Sequence, residues 1–304
     1  MQPLIREART VLCDWGTSRL RAYLQIGDEV VSRCEGPGIG ALTSSAIAAL
    51  QETLRPWRNA AEFDQIVACG MVGSRNGIIE VPCAQAPAGR SEWADRAVMH
   101  QAGDAQLLIA AGICGPNFAG IMDVMRGEET QIFGAIACND LLTRGRHTLL
   151  LPGTHSKWVQ VIESRIETVQ TYVTGELFAL LRDHSSLLRA GDSGEPPGDG
   201  FAAGLARSRQ SGLAASLFET RASQLTQARP RAWAREFLSG LLIGDEISVA
   251  LRSREPRSVV LIGENTLTMR YREALSSHSI AATCLDGDHC VVAGLRLLAS
   301  QHRR

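Results

Sequence analysis

The chain has 304 residues, 45% of them hydrophobic, and a formal net charge of −1 at pH 7. This composition can fill one large core or two medium-sized ones, and it offers no basic surface for nucleic acid or an anionic membrane. The first residues lack the apolar run of a signal peptide, and no stretch reaches the roughly 20 apolar residues of a membrane span. We therefore expect a soluble, cytoplasmic protein.

The first predicted elements are three strands joined by two turns. Val11–Cys13 is a short apolar run, Gly16–Ser18 is a turn, and Leu20–Ile26 alternates apolar with polar residues. A second turn at Gly27–Asp28 leads into a strand that begins at Val30. The alternation is typical of a half-buried strand.

The same pattern returns in the second half of the chain, from Arg146 to Val169. Aligning Gly153 with Gly16 gives an offset of 153 − 16 = 137 residues, and the same offset places Arg9 on Arg146. Two copies of one strand and turn pattern, about half a chain apart, indicate a duplicated domain.

The remaining segments alternate between strands and helices. The pattern predicts helices at 44–57, 104–113, about 126–137, 201–251, 264–275 and 288–298, strands at 63–69, 257–262 and 281–285, and an exposed loop at 191–200. This order predicts a three-layer α/β protein in two halves, which we divide at 1–138 and 139–304, with the final helix packing back toward the first domain.

Cysteine and lysine usage narrows the chemistry. Eight scattered cysteines without a CxxC pair indicate reduced thiols and no zinc site. Of the 31 basic residues, Lys157 alone is a lysine. Because arginine is a rigid fork and lysine a compact point charge, Lys157 in its glycine-, threonine- and serine-rich turn favours a functional role over chance.

Phosphate chemistry fits the two turns. The sequence has no P-loop, no GxSxG and no HExxH motif, so those enzyme classes are excluded. Asp14 ends a buried strand and is suited to hold Mg²⁺ through water, because Mg²⁺ prefers carboxylates, waters and phosphates. The turn after it offers backbone N–H groups and hydroxyls that can cradle phosphate oxygens: Gly16, Thr17 and Ser18.

The second turn repeats this cradle and adds a cation. Its members are Gly153, Thr154, His155, Ser156 and Lys157. We interpret His155 as a phosphate contact, although a metal-ligand or acid–base role is an alternative. For either turn alone a structural hairpin would be the simpler interpretation; for both together we favour two phosphate loops that clamp a nucleoside triphosphate in a cleft between the halves.

Five segments, in order along the chain, resemble the motifs of actin-like ATPases and sugar kinases. These segments are DWGTSRLRAYL, GIMDVMRGEETQIFGAI, PGTHSKWVQV, LIGENTLTMRYREAL and CVVAGLRLLA, matching phosphate-1, the first connecting helix, phosphate-2, the adenosine motif and the second connecting helix. The strings DWGTS, GMVGSRNG, RGEETQ, PGTHSKWV and TGELFALL are similar to the 2-dehydro-3-deoxygalactonokinase family.

This resemblance covers nearly the whole chain and implies a fold and an activity. The fold would be two actin-like ATPase (ribonuclease H-like) domains. The activity would be phosphorylation of the C6 hydroxyl of 2-dehydro-3-deoxy-D-galactonate by ATP with Mg²⁺, in galactonate catabolism. In the adenosine motif, Gly263 and Glu264 stand where many relatives have paired glycines, which puts individual nucleotide contacts there in doubt.

The resemblance also implies a catalytic base near the start of the first connecting helix. Asp123 matches best as the acid that accepts the hydroxyl proton, with Glu128 and Glu129 as rivals. Asp123 could instead be a helix N-cap, and the glutamates a solvated helix face. For the sugar-acid carboxylate, which suits arginine, the candidates are Arg75 and Arg126, with Ser74 and Glu128 beside them.

Three other functions stay open. The substrate could be a neighbouring sugar acid such as 2-dehydro-3-deoxygluconate. A phosphohydrolase of the same superfamily would consume ATP without an acceptor. A non-catalytic sensor on this fold would lack the acids at Asp14 and Asp123 and would carry a DNA-binding module, for which only eight residues precede Arg9. We expect a small-molecule substrate, no nucleic-acid or membrane partner, and room for a homodimer.

Overall fold

The computed structural model describes residues 9–59, 63–102, 105–188, 194–210, 212–253 and 256–302. The strands are β1 (Arg9–Trp15), β2 (Arg19–Ile26), β3 (Glu29–Pro37), β4 (Gln65–Gly70), β5 (Ala84–Gln85), β6 (Val98–Ala102), β7 (Ala105–Ile109), β8 (Ile113–Pro116), β9 (Met122–Met125), β10 (Arg146–Leu151), β11 (Ser156–Ile162), β12 (Arg165–Tyr172), β13 (Ser258–Gly263) and β14 (Ala281–Asp286). The helices are α1 (Ala46–Arg58), α2 (Arg90–Ala94), α3 (Glu128–Cys138), α4 (Thr174–His184), α5 (Gly200–Ser208), α6 (Leu213–Leu217), α7 (Glu219–Thr226), α8 (Arg231–Ser253), α9 (Asn265–Ser276) and α10 (Gly287–Gln301).

The chain divides into two compact units. The first consists of the described residues within Met1–Arg146, Gln160–Val169 and Asp286–Arg304, and the second of those within His147–Val159 and Gln170–Leu285. The division at 1–138 and 139–304 stays a prediction. The final helix, α10, belongs to the first unit and packs along α3.

The two large sheets share one strand order over five strands, as the sequence repeat predicts. The six-stranded sheet has the order β3-β2-β1-β4-β7-β6, and the five-stranded sheet has the order β12-β11-β10-β13-β14. In each, the first strand of the repeat lies parallel to the strand that follows a helical crossover, β4 beside β1 and β13 beside β10. The first repeat begins at Arg9 and the second at Arg146, 137 residues later. The duplication is therefore confirmed.

The central strands form where the sequence has continuous apolar runs. Val11, Leu12 and Cys13 are fully buried in β1, as parallel strands covered on both faces require. Helix α1 begins where predicted, because the Ser45 hydroxyl accepts a hydrogen bond from the N–H of Ala48. Trp15 and Trp158 are buried core residues.

The predicted helix at 104–113 is wrong. The described part of this segment contains strand β7 and the start of β8 instead, and residue 104 lies outside the described residues. Leu107, Leu108 and Ile109 are fully buried, and β7 pairs in parallel with β4. A short apolar run is compatible with a buried helix and with a buried strand. Here the strand forms because its backbone pairs with β4.

The second unit is built around the long helix α8. Trp233, Phe237, Leu238 and Leu241 of this helix form a buried cluster. Helix α5 packs closely on α8, because a Cβ atom on Gly204 would lie only 2.2 Å from the carbonyl oxygen of Phe237. In the predicted loop at 191–200, residues 194–199 are exposed and residues 191–193 lie outside the described residues. None of the described helices combines the length and the apolar character needed to cross a membrane.

Candidate active site

In the first unit, a buried carboxylate ends strand β1. Asp14 is 8% exposed, and its Oδ2 accepts an ion-paired hydrogen bond from Nη2 of Arg21. Nη1 of the same guanidinium donates to Oδ1 of Asp288 at 2.7 Å, and the thiol of Cys69 lies 3.9 Å from Asp14 Oδ1. Burial raises the pKa of Asp14, and the positive charge of Arg21 opposes that rise.

The turn after Asp14 is held from behind by glycines. Thr17 and Ser18 are exposed, and Gly16 is partly exposed. A Cβ atom on Gly38 would lie 2.2 Å from the carbonyl oxygen of Thr17, and the N–H of Gly40 donates to the same oxygen at 2.9 Å. The absence of side chains at Gly38 and Gly40 therefore lets the backbone support this turn closely.

The second unit presents the matching turn after strand β10. Thr154 and His155 are exposed, and Nε2 of His155 lies 2.5 Å from Oε2 of Glu176. A Cβ atom on Gly175, in the first turn of α4, would lie 2.3 Å from the carbonyl oxygen of Gly153. Glycine thus backs this turn as well, here from the start of a helix.

The last two residues of the predicted phosphate-2 set have buried side chains. Ser156 is fully buried, and its hydroxyl lies 2.9 Å from the hydroxyl of Tyr271. Lys157 is 6% exposed, and its Nζ donates to Oγ1 of Thr171 at 2.8 Å. Among the described residues, the exposed polar side chains of this turn are therefore those of Thr154 and His155.

A cavity of about 300 Å³ lies beside this turn within the second unit. Its wall includes Gly153, residues of the TGELFALL and adenosine motifs on α4 and α9, and residues of α4 and α8 that lie in no sequence motif: Thr174, Gly175, Phe178, Arg182, Arg235, Glu236, Ser239, Leu242, Ile243, Leu267, Arg270 and Tyr271. Arg270 organises one side, with Nη1 at 2.5 Å from Glu236 Oε2 and 3.2 Å from Ser239 Oγ. The helical segment at 201–251 carries no motif, so only the packing identifies the cavity residues of α8.

The adenosine motif lies next to the same turn. A Cβ atom on Gly263 would lie 3.7 Å from the carbonyl oxygen of Pro152, which precedes Gly153. Glu264 is the N-cap of α9, where its carboxylate accepts a hydrogen bond from the N–H of Thr266 at 3.0 Å. The glutamate at this position therefore stabilises the start of α9 as its N-cap, which a glycine side chain could not do.

The start of α3 carries a buried glutamate. Glu129 is fully buried, and its two oxygens accept hydrogen bonds from the N–H of Gly127 at 2.9 and 2.8 Å. Burial, and then the neighbouring Glu128 carboxylate, raise the pKa of Glu129 to about 8. Gly127 has φ +114° and packs on Gly70, so the helix begins against the end of β4.

Asp123 lies before this helix rather than at its N-cap, which is Gly127. It is partly buried on strand β9, opposite Gly115 of β8, and its Oδ1 accepts a hydrogen bond from the N–H of Val124 at 2.6 Å. Glu128 is partly exposed, and its Oε2 accepts from the N–H of Arg126 at 3.1 Å. The three candidate bases thus occupy three different environments.

The two candidate arginines differ in their surroundings. Nη2 of Arg126 donates to the carbonyl oxygen of Val81 at 2.8 Å, while its Nη1 is buried with no hydrogen-bond partner among the described residues. Arg75 has a side chain that is 86% exposed and pairs with Glu80 at 3.0 Å. Ser74 donates its hydroxyl to the carbonyl oxygen of Met71. The geometry therefore favours Arg126 as an anion contact.

The described residues contain no cluster of three or more His, Cys, Asp or Glu side chains that could enclose a metal ion. A Mg²⁺ ion that is held by one carboxylate, waters and nucleotide phosphates needs no such cluster. Asp14 fits that mode, since it is a carboxylate at a strand end directly before a glycine turn.

Two sheets of the same topology, each with a glycine-backed turn after its first strand, define the duplicated fold of actin-like ATPases and sugar kinases. The activator of 2-hydroxyisocaproyl-CoA dehydratase from Clostridium difficile, solved with bound ADPNP, has this fold in common with the chain, with a TM-score of 0.51 and 11% identity over 97% of this chain and 96% of that chain. At that identity the similarity shows the fold alone.

Two comparisons at higher identity extend over nearly the whole chain. The 2-dehydro-3-deoxygalactonokinase of Escherichia coli (strain K12) is 36% identical over 297 residues, which cover 96% of this chain and 98% of that protein. A crystal structure from Sinorhizobium meliloti, described as a candidate 2-dehydro-3-deoxygalactonokinase, has a TM-score of 0.87 and 34% identity, with 96% of each chain covered.

A family model for 2-keto-3-deoxy-galactonokinase matches residues 14–298. The chain belongs to this family of phosphotransferases.

Proposed function

We propose that the protein transfers the γ-phosphoryl group of ATP to the C6 hydroxyl of 2-dehydro-3-deoxy-D-galactonate, giving the 6-phosphate and ADP. The observation that carries the phosphotransferase assignment is the pair of glycine-backed turns, at Gly16–Ser18 and Gly153–His155, which repeat one design on two equivalent strands. The sugar acid is assigned from the relatives that match almost the whole chain.

Each of the two turns is proposed to contact phosphate oxygens, and the cavity of the second unit is proposed to hold the rest of the nucleotide. Backbone N–H groups of a tight turn suit phosphate oxygens, and the exposed hydroxyls of Thr17, Ser18 and Thr154 add donors. The cavity of about 300 Å³ has the size of a small-molecule pocket, and the apolar residues of its lining, Phe178, Leu242 and Ile243, suit a nucleobase. Because Gly153 belongs both to the turn and to the cavity wall, one bound nucleotide can reach both.

Magnesium is proposed as the accompanying ion, with Asp14 as its carboxylate partner through water. When bound, the ion would neutralise charge that develops on the transferring phosphoryl group. Arg21 holds the Asp14 carboxylate in place through an ion pair, and it is itself anchored by Asp288 at 2.7 Å. These contacts fix the orientation of Asp14 before any ligand arrives.

The sugar-acid carboxylate is proposed to bind Arg126. A buried guanidinium donor without a partner is costly, and a substrate carboxylate would satisfy it with a charge-assisted hydrogen bond. Ser74 and Glu128 are proposed to contact the sugar hydroxyls, and Arg75 is a weaker candidate because it is exposed. Arg126 is thus the residue on which recognition of an acid, rather than a neutral sugar, depends.

Asp123 is proposed to accept the C6 hydroxyl proton, with Glu128 and Glu129 as alternatives. A base for this step must be reachable by the hydroxyl group. Asp123 is partly exposed, whereas Glu129 is fully buried and carries a pKa of about 8. Accessibility to the hydroxyl group therefore favours Asp123. In phosphoryl transfer the main task of such a residue is to orient the attacking hydroxyl group.

We further propose a cytoplasmic location, which suits an enzyme that consumes ATP and a catabolic intermediate. A homodimer is proposed as the oligomeric state. Light scattering after gel filtration would test it, since a monomer of 32.8 kDa would contradict it directly.

The test of the activity is ADP release with Mg-ATP, measured without an acceptor and with 2-dehydro-3-deoxygalactonate, 2-dehydro-3-deoxygluconate or plain hexoses. We expect release that depends strongly on the galactonate derivative. Preference for the gluconate derivative would reassign the sugar acid. Release without any acceptor would indicate a phosphohydrolase, and no release in any reaction would contradict the kinase.

A further inference from the structure

A buried carboxylate in the second unit has no role in the reaction proposed above. Glu246 of α8 is 2% exposed, so neither substrate nor solvent reaches it. Its Oε1 accepts a hydrogen bond from Nε1 of Trp158 at 2.8 Å, and its Oε2 accepts one from the hydroxyl of Tyr271 at 2.7 Å. The side-chain hydroxyl of Thr174 hydrogen-bonds to the same carboxylate.

Each partner of Glu246 belongs to an element of the proposed nucleotide site. Ser156 directly follows the Gly153–His155 turn, and its hydroxyl contacts that of Tyr271 at 2.9 Å. Tyr271 and Thr174 both line the 300 Å³ cavity. One carboxylate therefore ties together β11, the first turn of α4 and helix α9, which come from segments far apart in sequence.

Stability alone gives no reason for this carboxylate. Removing a carboxylate from water is costly, and well-packed apolar residues often replace buried charged groups without loss of stability. Burial raises the pKa of Glu246, while the hydrogen bonds from Thr174, Tyr271 and Trp158 lower it. A costly group that is fully hydrogen-bonded fixes one arrangement of its partners, because each donor must point at it.

We propose that Glu246 is a positioning residue for nucleotide binding, acting through Ser156, Tyr271 and Thr174 to fix the phosphate-2 turn against the wall of the cavity. This proposal rests on the proposed function in so far as the ligand of the cavity is a nucleotide. It assigns Glu246 no contact with substrate and no part in proton transfer.

Glu246→Gln tests the proposal. Glutamine keeps the shape of the side chain but replaces one acceptor oxygen with a donor. Because the Trp158 indole can only donate, either its bond breaks or the bond with the Tyr271 hydroxyl reverses. We expect the Kd for ADP, measured by calorimetry, and the KM for ATP to rise about ten-fold, because a reversed or broken bond disturbs the contact between Tyr271 and Ser156. The KM for the sugar acid should stay within about two-fold, because binding at Arg126 does not involve this network.

Asp245→Asn is the matched control, since it removes a neighbouring carboxylate of α8 that is not part of the network. It should leave the Kd for ADP unchanged. If Glu246→Gln does not fold, Tyr271→Phe removes the hydroxyl that contacts both Glu246 and Ser156 and should also raise the Kd for ADP. A lower melting temperature with an unchanged Kd for ADP in either variant would reduce Glu246 to a structural residue and overturn the proposal.

Failure of this proposal is distinguishable from failure of the proposed function. Weaker ADP binding in Glu246→Gln, with no phosphorylation of any sugar acid by the natural protein, would sustain Glu246 and contradict the kinase. Normal ADP binding in Glu246→Gln, with phosphorylation of a sugar acid by the natural protein, would contradict the role of Glu246 and support the kinase.

Discussion

Gly134 of α3 and Gly294 of α10 lie at the crossing of the two helices, where the backbones touch without intervening side chains. A Cβ atom on Gly134 would lie 1.9 Å from the carbonyl oxygen of Cys290, and one on Gly294 would lie 2.0 Å from that of Thr130. These helices carry Glu129 and Asp288 in their first turns. The crossing therefore fixes, within one unit, the two helix starts that bring acids toward the end of β1.

Gly134→Ala should destabilise the protein although alanine is the better helix former. The gain in helix propensity is about 1 kcal/mol, whereas forcing the helices apart costs about 1–3 kcal/mol and more where backbone is displaced. Urea unfolding measures the difference. Ala137→Ser, at an exposed position of the same helix, is the control and should change the free energy of unfolding by no more than about 0.5 kcal/mol. A more stable Gly134→Ala variant would show that the helices are not in contact.

Arg21→Met should lower both stability and activity. It removes the counter-charge of Asp14, whose side chain is only 12% exposed. We expect a loss of about 2–3 kcal/mol in the free energy of unfolding, less than for a fully buried pair because the side chain of Arg21 is 28% exposed. Arg33→Met is the control. The side chain of Arg33 is 64% exposed, and its ion pair with Asp288 is long, at 3.8 Å, so its loss should cost little. Equal losses in the two variants would contradict the special role of Arg21.

Glu129 should make the native state less stable as the pH rises. Its folded pKa of about 8 lies above the ordinary value of 4.5, so between these values the folded protein holds a proton that the unfolded chain has released. This contribution to stability is complete below pH 4.5 and is lost as the pH rises through about 8, at no more than about 1.4 kcal/mol per pH unit. Glu129→Gln should lack this slope in urea unfolding between pH 6 and pH 9.

Glu35→Gln is the control for this pH dependence, because its side chain is 46% exposed and it should keep the natural slope. Parallel curves for the natural protein and Glu129→Gln would show that Glu129 titrates normally.

Asp123→Asn should lower kcat by about 10²-fold or more while the KM for ATP changes little, because a general base contributes roughly that factor. Glu128→Gln and Glu129→Gln, assayed in parallel, separate the three candidates. A normal kcat in Asp123→Asn together with a large loss in either glutamate variant would move the base to that residue.

Arg126→Met should raise the KM for the sugar acid by about 10-fold or more and leave the KM for ATP unchanged, since a charge-assisted hydrogen bond is worth about 1.5–3 kcal/mol. Arg75→Met, which alters the exposed arginine, should have a much smaller effect. If Arg75→Met raises the KM more than Arg126→Met, the carboxylate binds at the exposed arginine instead.

Local patterns in the sequence were sufficient for the repeated part of the fold. Val11–Cys13 and Leu149–Leu151 form buried strands, each followed by a glycine turn, because such patterns depend on the chemistry of neighbouring residues. The prediction of a helix at 104–113 was wrong because the local pattern there was not sufficient. Its apolar run carries no period that separates helix from strand, and the choice was made by β4, whose sequence lies about 40 residues earlier.

The sequence by itself therefore determined the duplication, the two glycine turns and the family. Only the tertiary structure decided which side chains surround these turns. Glu246 meets Trp158 across 88 positions of sequence, and Arg21 meets Asp288 across 267. Periodicity and turn chemistry act over a few residues, whereas the environment of a buried charge is set by segments that come together only when the chain folds.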